Sequence, residues 1–308
     1  MGAKSLPPFT PIFPPNSKRL PFPKSLLSNL IKDSFSLRSL VLLGALTQTL
    51  ISLFLPHPYL PATILLLITI VTHLHSILTF SVPPIPTTIN TKLTRSHLNT
   101  PIPHRTTTSF PLASYNPSVQ DTPYSPTHRP GLALLHLTVR FSHPLGVLHP
   151  GARDLQSHFL ACNKRLLSES KAADRFGCMG ISSWRGDTLD TNNTFMTAYY
   201  FKNVEGLHAF AHDEVHMKAW VWFEGWAKKW GLGRIGVAHE TFVVGENGFE
   251  GVGLGMPATL LAGGSMKVKR EDGDQEQWWG TMVAAGRGGM EGRLGRSIGR
   301  HGGKNVEE

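Results

Sequence analysis

Two apolar runs near the amino end stand apart from everything after them. Leu40 to Leu55 and Ala62 to Val82 contain no Asp, Glu, Lys or Arg. At about 1.5 Å per residue the second is long enough to span a bilayer core of roughly 30 Å, and the first is marginal. His57-Pro-Tyr-Leu-Pro between them is short enough only for a tight turn, so the pattern predicts a transmembrane helical hairpin over 39–82. Basic residues flank its outer ends and none lies in the turn. The positive-inside rule then puts both termini and the following domain in the cytosol, with the endoplasmic reticulum or another endomembrane as the anchoring site. A buried hairpin in a soluble protein is the alternative.

Farther on the periodicity changes. Leu132 to Phe141 reads as a β-rich run, and Ala152 to Phe176 has helical spacing through Leu155, Phe159, Cys162, Leu166 and Leu167. Cys178 to Trp184 and Thr194 to Phe201 read as strands around a Gly/Asp/Asn turn, 204–230 as a second helix, and Ile235 to Val244 as a last strand. The order βαββαβ predicts an α+β, ferredoxin-like domain over 131–261. Helices would cover one sheet face, leaving the other for a second copy or a ligand.

The flanks carry little pattern. Residues 1–38 hold seven prolines and six cations against Asp33, the composition of a disordered basic arm. Residues 83–130, with ten prolines and ten threonines, read as a linker. Residues 262–308, with twelve glycines, read as a disordered tail in which Trp278-Trp279 is an incidental apolar pair or a short partner-binding helix. Lys plus Arg minus Asp plus Glu is 10 − 2 = +8 over 1–130, 12 − 12 = 0 over 131–261 and 8 − 7 = +1 over 262–308. The globular part lacks the basic footprint of a nucleic-acid binder.

Candidate chemistry concentrates between Tyr200 and Glu240. On an unbroken helix Leu207, Ala211, Val215, Ala219, Trp222 and Trp226 form an apolar face, with His208, His212 and His216 stepping along its border. Single border histidines often serve only to bond backbone or water. A metal site could use His212 and His216 with His239 or Glu240, but His208 and His216 lie about 12 Å apart along the axis and cannot share one ion. An oxygenase pocket needs a base, a dry cavity and oxyanion donors. His212 or His216 would be the base, and Phe210, Trp220, Trp222 and Phe223 would be aromatic walls. Tyr200 and Lys202 would be the oxyanion partners. His239 and Glu240 point to opposite strand faces, so only one can face the pocket; His239 is the choice, with Glu240 bonded to a neighbouring helix. A haem variant would use one of these histidines as axial ligand. Gly231-Leu-Gly-Arg-Ile-Gly follows a helix and precedes a strand, the reverse of the dinucleotide order. Cys162 and Cys178 have no metal spacing and read as free thiols.

Leu207-His-Ala-Phe-Ala-His, then His216, Trp220-Val-Trp222, Gly236-Val-Ala-His-Glu-Thr-Phe242, Phe249-Glu250 and Met256-Pro257 resemble a mainly fungal and bacterial monooxygenase-like family. Its fungal members include one acting in the fumagillin pathway. The resemblance implies a dimeric α+β barrel and a monooxygenase acting on a hydrophobic secondary metabolite, with O₂ as co-substrate and no obligatory cofactor. A homodimer is implied too. A non-catalytic lipid- or terpenoid-binding protein and a haem-dependent oxygenase or dehydratase are the alternatives. Two departures bear on the pocket: Lys202-Asn203 stands where relatives tend to have Arg-Ser, and Gly253 replaces an expected aromatic.

Overall fold

The computed structural model describes residues 9–19, 37–79, 98, 100–102, 105–125, 128, 130–142, 147, 149, 151–186, 194–231, 234–273 and 275–284. The chain divides into two compact units, Lys24–Pro83 and the remainder.

The smaller unit is a helical hairpin, α1 (Leu37–Phe54) and α2 (Tyr59–Leu78). Its hydroxyls are satisfied internally: Thr47, Thr49, Ser52, Thr63, Thr69 and Thr72 each donate to the carbonyl four residues back, at 2.8–2.9 Å. Apolar side chains are exposed all round both helices, Leu42 to 70% and Phe54 to 80%. The expected membrane crossing is not what the structure shows. Among the described residues no helix is long and apolar enough to cross a membrane. With 18 residues, α1 extends about 27 Å, and α2 carries Pro61 in its first turn and His73 and His75 in its last turns.

In the larger unit β3 (Leu132–Phe141), β4 (Cys178–Arg185), β5 (Thr194–Phe201) and β6 (Ile235–Val244) form an antiparallel sheet in the order β4-β5-β3-β6. Helices α3 (Ala152–Leu167) and α4 (Lys171–Phe176) connect β3 to β4, and α5 (Val204–Ala211) and α6 (Glu214–Trp230) connect β5 to β6. This is the expected ferredoxin-like order. Ala133, Tyr199 and Phe201 from the sheet pack with Cys162, Leu166, Phe176, Leu207 and Phe210 from the helices.

The second helical stretch is not continuous. It breaks at His212-Asp213, where Asp213 leaves helical geometry and its carboxylate accepts from Val215 N–H at 3.1 Å, starting α6 afresh. Arg165 of α3 holds the same carboxylate in a two-pronged contact, with Nη2 at 2.8 Å. The apolar face survives the break: Leu207 and Trp226 are buried, and Ala211, Val215, Ala219 and Trp222 half-buried.

The flanks are more ordered than their composition implies. Within the linker, β1 (Thr106–Thr108) and β2 (Ser114–Tyr115) are strands, and the chain after 260 forms a 3₁₀ turn (Leu260–Gly263), β8 (Ser265–Arg270), β9 (Glu276–Gly280) and β10 (Met282–Ala284). With β7 (Val252–Gly253) these make two small sheets, β10-β1-β7 and β2-β8-β9. The arm joins them through Pro11 bridged to Val283 and Asn16 to Trp278, burying Ile12 and Phe13. Trp278 and Trp279 are buried strand residues, not an incidental pair. The remaining parts of the predicted arm, linker and tail, 1–8, 20–36, 83–97, 99, 103–104, 126–127, 129, 274 and 285–308, and 80–82 of the predicted hairpin, lie outside the described residues.

This accessory layer covers part of the sheet face opposite the helices. Phe110, Leu261 and Met266 pack on Leu132, Met179, Ala198 and Tyr200. At Gly180 a Cβ would come within 3.0 Å of the Gly264 backbone, so glycine there permits the layer to dock.

Candidate functional site

The sheet register separates the predicted site residues onto two faces. Residues opposite one another in an antiparallel pair share a face, and neighbours along a strand alternate. Leu137 pairs with His239, and Leu137 belongs to the helix-side core, so His239 lies on the helix side. His136 pairs with Glu240, and Leu134 with both Tyr200 and Phe242, all on the opposite side. Tyr200 is buried under the accessory layer and Lys202 lines a separate cavity beyond the end of β5. The expected single pocket uniting these residues with the helix histidines is therefore not formed.

The helix histidines are occupied in local structure. His212 Nδ1–H donates to the His208 carbonyl and His216 Nδ1–H to the Ala211 carbonyl, each at 2.8 Å. His216 thereby satisfies the Ala211 carbonyl at the end of α5, and His212 adds a second bond to the His208 carbonyl, which already accepts the His212 N–H. His208 and His212 are exposed, while His216 is half-buried with its ring 5.4 Å from Phe210. Of the expected aromatic walls, Phe210 is buried in the core and Trp222 lies 4.9 Å from the His158 ring on α3. Trp220 is exposed and lies 6.4 Å from half-buried Phe223. Because α6 leans on α3 in this way, His239 on the edge strand stays uncovered. Among the described residues no group of three or more His, Cys, Asp or Glu is placed to hold a metal ion.

What remains open is the half of the sheet that the accessory layer does not reach. Ser182, His136 and Glu240 lie in one row with Ala198, which is buried at the layer's edge; Trp184, Met196, Thr138 and Ala238 form the next row. His136 is half-buried with its ring edge-on to Phe242 at 5.5 Å, and Glu240 is exposed beside it. Trp184, at the β4 end of the second row, is 42% exposed, and Phe242, one row toward Tyr200, is 46% exposed. Tyr200 closes the covered end, its hydroxyl bonded to Ser182 and its acidity weakened by burial. The open face thus offers an imidazole and a carboxylate on neighbouring strands inside an aromatic, thioether-bearing surface. His136 was not visible as a site residue in the sequence. Its signal is a lone histidine in an otherwise apolar alternation, and only the β3–β6 register brings it beside Glu240.

Behind the sheet, Tyr199 donates its hydroxyl to Asn163 Oδ1 at 2.9 Å, and burial holds that phenol well above its usual range. Asn163 Nδ2 is buried without a partner among the described residues.

Fold and open face together define a ferredoxin-like α+β domain with an uncovered half of its sheet. Residues 132–261 match the family described as monooxygenase af470-like, a likeness that supports a monooxygenase-like family. It is 29% identical over 277 residues to monooxygenase af470 of Aspergillus fumigatus, covering 88% of this chain and 92% of that protein. Two solved structures are similar over 37% of this chain. One is a conserved Bacteroides thetaiotaomicron protein of unknown function described as a possible oxidoreductase, at 12% identity, 97% of its chain covered and a TM-score of 0.24. The other is a dimeric ferredoxin-like protein from an uncultured marine organism, at 13% identity, 95% covered and a TM-score of 0.22.

Proposed function

We propose that the protein is a monooxygenase acting on a hydrophobic small molecule at the open sheet face, as a homodimer seated on a membrane. The observation that carries this reading is the cross-strand pair His136–Glu240, set between Trp184, Met196 and Phe242. An imidazole is suited to taking a proton at neutral pH, and a carboxylate beside it stabilises the imidazolium that results. For a substrate with an acidified CH₂ group, His136 removes one proton and the carbanion adds to O₂. The peroxide formed is reprotonated and loses water to leave a ketone, so that one oxygen atom enters the product and the other leaves as water. This sequence needs only O₂ as co-substrate. A carbanion and O₂ require a dry site, and the face is open in a single copy. A second copy laid on it would supply the enclosure. The edge strand β6, with Phe242 46% exposed on this face, supports that placement.

The hairpin supports the membrane seat. Its apolar residues are exposed around the whole helix circumference rather than along one stripe, which calls for an apolar surrounding and not a one-sided partner. A hairpin that enters and returns on one side needs no full crossing.

The test is O₂ uptake by full-length protein in mild detergent with a panel of terpenoids and polycyclic ketones, after an absorption spectrum has been recorded. His136→Phe and Glu240→Gln are expected to abolish uptake with the far-UV circular dichroism unchanged. Full activity in both variants refutes the assignment. A Soret band that shifts in His212 or His216 variants would replace it with the haem reading, and stoichiometric binding without uptake would leave a non-catalytic carrier.

A further inference from the structure

A cavity of about 220 Å³ lies on the accessory side of the larger unit, away from the His136–Glu240 pair. Its lining brings three cations together from distant parts of the chain: Arg19 of the arm, Lys202 after β5 and Lys267 of β8. Two carboxylates, Asp174 and Glu276, also line it, leaving one positive charge in excess. The cations are not equivalent. Arg19 donates from its guanidinium to the Cys178 and Leu166 carbonyls and sits 4.8 Å from the Trp278 ring centre. Lys267 donates to both Asp174 oxygens, at 3.1 and 2.9 Å, and lies 3.5 Å from Glu276. Both are committed to protein acceptors.

Lys202 is not. Its ammonium makes no hydrogen bond or ion pair among the described residues. Its methylene stem lies along Gly177, where a Cβ would meet Lys202 Cβ, Cγ and Cδ at 3.4–3.5 Å. Partial burial lowers the Lys202 pKa, Asp174 raises it, and Arg19 and Lys267 lower it further. The residue as a whole is exposed, so water meets the ammonium, and a ligand carboxylate can replace that water without displacing a protein acceptor. Beside it the wall turns apolar, with Ala173, Met179 and Met266.

We infer that this cavity binds a small organic monoanion, a carboxylate with a short apolar body. One carboxylate oxygen accepts from Lys202, the charge balances the excess of the lining, and the body lies against Met179 and Met266. Asp174 and Glu276 set the limit: with two acids already present, a dianion meets repulsion that a monoanion does not. The site is independent of the monooxygenase reading, since it shares no residue with the open face.

The probe is hexanoate, titrated by calorimetry into the full-length protein, with hexanol as its neutral counterpart and inorganic phosphate as an anion without an apolar body. Hexanoate is expected to bind, hexanol and phosphate at least about tenfold more weakly, and Lys202→Met to cost about tenfold while Lys202→Arg retains binding. Hexanoate should also protect Lys202 from reductive methylation, read by mass spectrometry on the unmutated chain, which keeps the inference testable if Lys202→Met does not fold. Equal affinity for hexanol removes the charge requirement, and equal affinity for phosphate removes the apolar one. Unaltered methylation of Lys202 under saturating hexanoate removes the site. Each of these results overturns the inference.

Discussion

Replacing Asp213 tests whether the break between α5 and α6 is built by that carboxylate. Asp213 is only 6% exposed and has two tasks: it caps α6 through Val215 N–H, and it receives Arg165 on both oxygens. Losing an N-cap to alanine costs about 1 kcal/mol. The charge-assisted bonds add about 1 kcal/mol more after discounting, because the Arg165 side chain is 31% exposed and rehydrates when its partner is removed. Asp213→Ala should therefore destabilise by about 2 kcal/mol, which lowers Tm by roughly 4–8 °C for a unit of this size. The hydrogen bond from Arg165 is the largest cause holding the Asp213 pKa below the ordinary carboxylate value. With the folded pKa depressed, this contribution is complete above the unfolded value near 4 and is lost as pH falls through the folded one. Thermal unfolding by circular dichroism from pH 3 to pH 8 should show the wild-type advantage at pH 5–8 and its shrinkage below pH 4. An Asp213→Ala Tm within about 1 °C of wild type at pH 7 would refute the reasoning, as would an advantage that persists unchanged at pH 3.

Three further outcomes are expected. Gly151 caps α3 at φ 98°, and a Cβ there would fall 2.1 Å from Trp226 Nε1, so Gly151→Ala should cost about 2–4 kcal/mol in chemical denaturation, with wild-type stability ruling this out. Burial raises the Cys162 and Cys178 thiols to about 11, so neither should react with a disulfide reagent at pH 8 until denaturant is added, and rapid labelling of the native protein would contradict the packing. Tyr199→Phe leaves Asn163 with neither amide atom paired among the described residues and should cost about 1–3 kcal/mol, measured by urea midpoint at unchanged slope.

The strands and helices of the central domain were legible because each is long enough to show its period. The helix break was not, because the apolar positions keep helical register straight across it, from Leu207 and Ala211 to Val215 and Ala219. The start signal, Asp213 followed by Glu214, lies inside that pattern and reads as surface charge unless taken as a cap. The carboxyl-terminal strands were hidden by composition: twelve glycines in 262–308 obscure the alternation in Ser265-Met-Lys-Val-Lys-Arg and the run around Trp278. Their stability is non-local, supplied by the amino-terminal arm and by residues near Thr106. The candidate site was half legible. Glu240 was visible as a strand residue facing away from His239, but its partner His136 lies 104 positions earlier and meets it only through pairing register.

The division of histidines between the sheet faces has a physical cause. On the helix side, α5 ends abruptly at Asp213; His216 Nδ1–H supplies the donor for the terminal Ala211 carbonyl, and His212 Nδ1–H reinforces the His208 carbonyl. That fixes the Nδ1–H tautomer in both rings and leaves only Nε2 for other work, in a place where His212 is exposed to water. On the open side His136 has no capping task and sits against Phe242, beside Glu240 on the next strand. Proton abstraction from a weakly acidic carbon gains most where water is excluded and a carboxylate stands ready to pair with the imidazolium. The helical part of the motif, from Leu207 to Trp222, therefore builds the helix corner, while the proposed chemistry falls to His136 of β3 and to Glu240 of β6, the latter within the same motif.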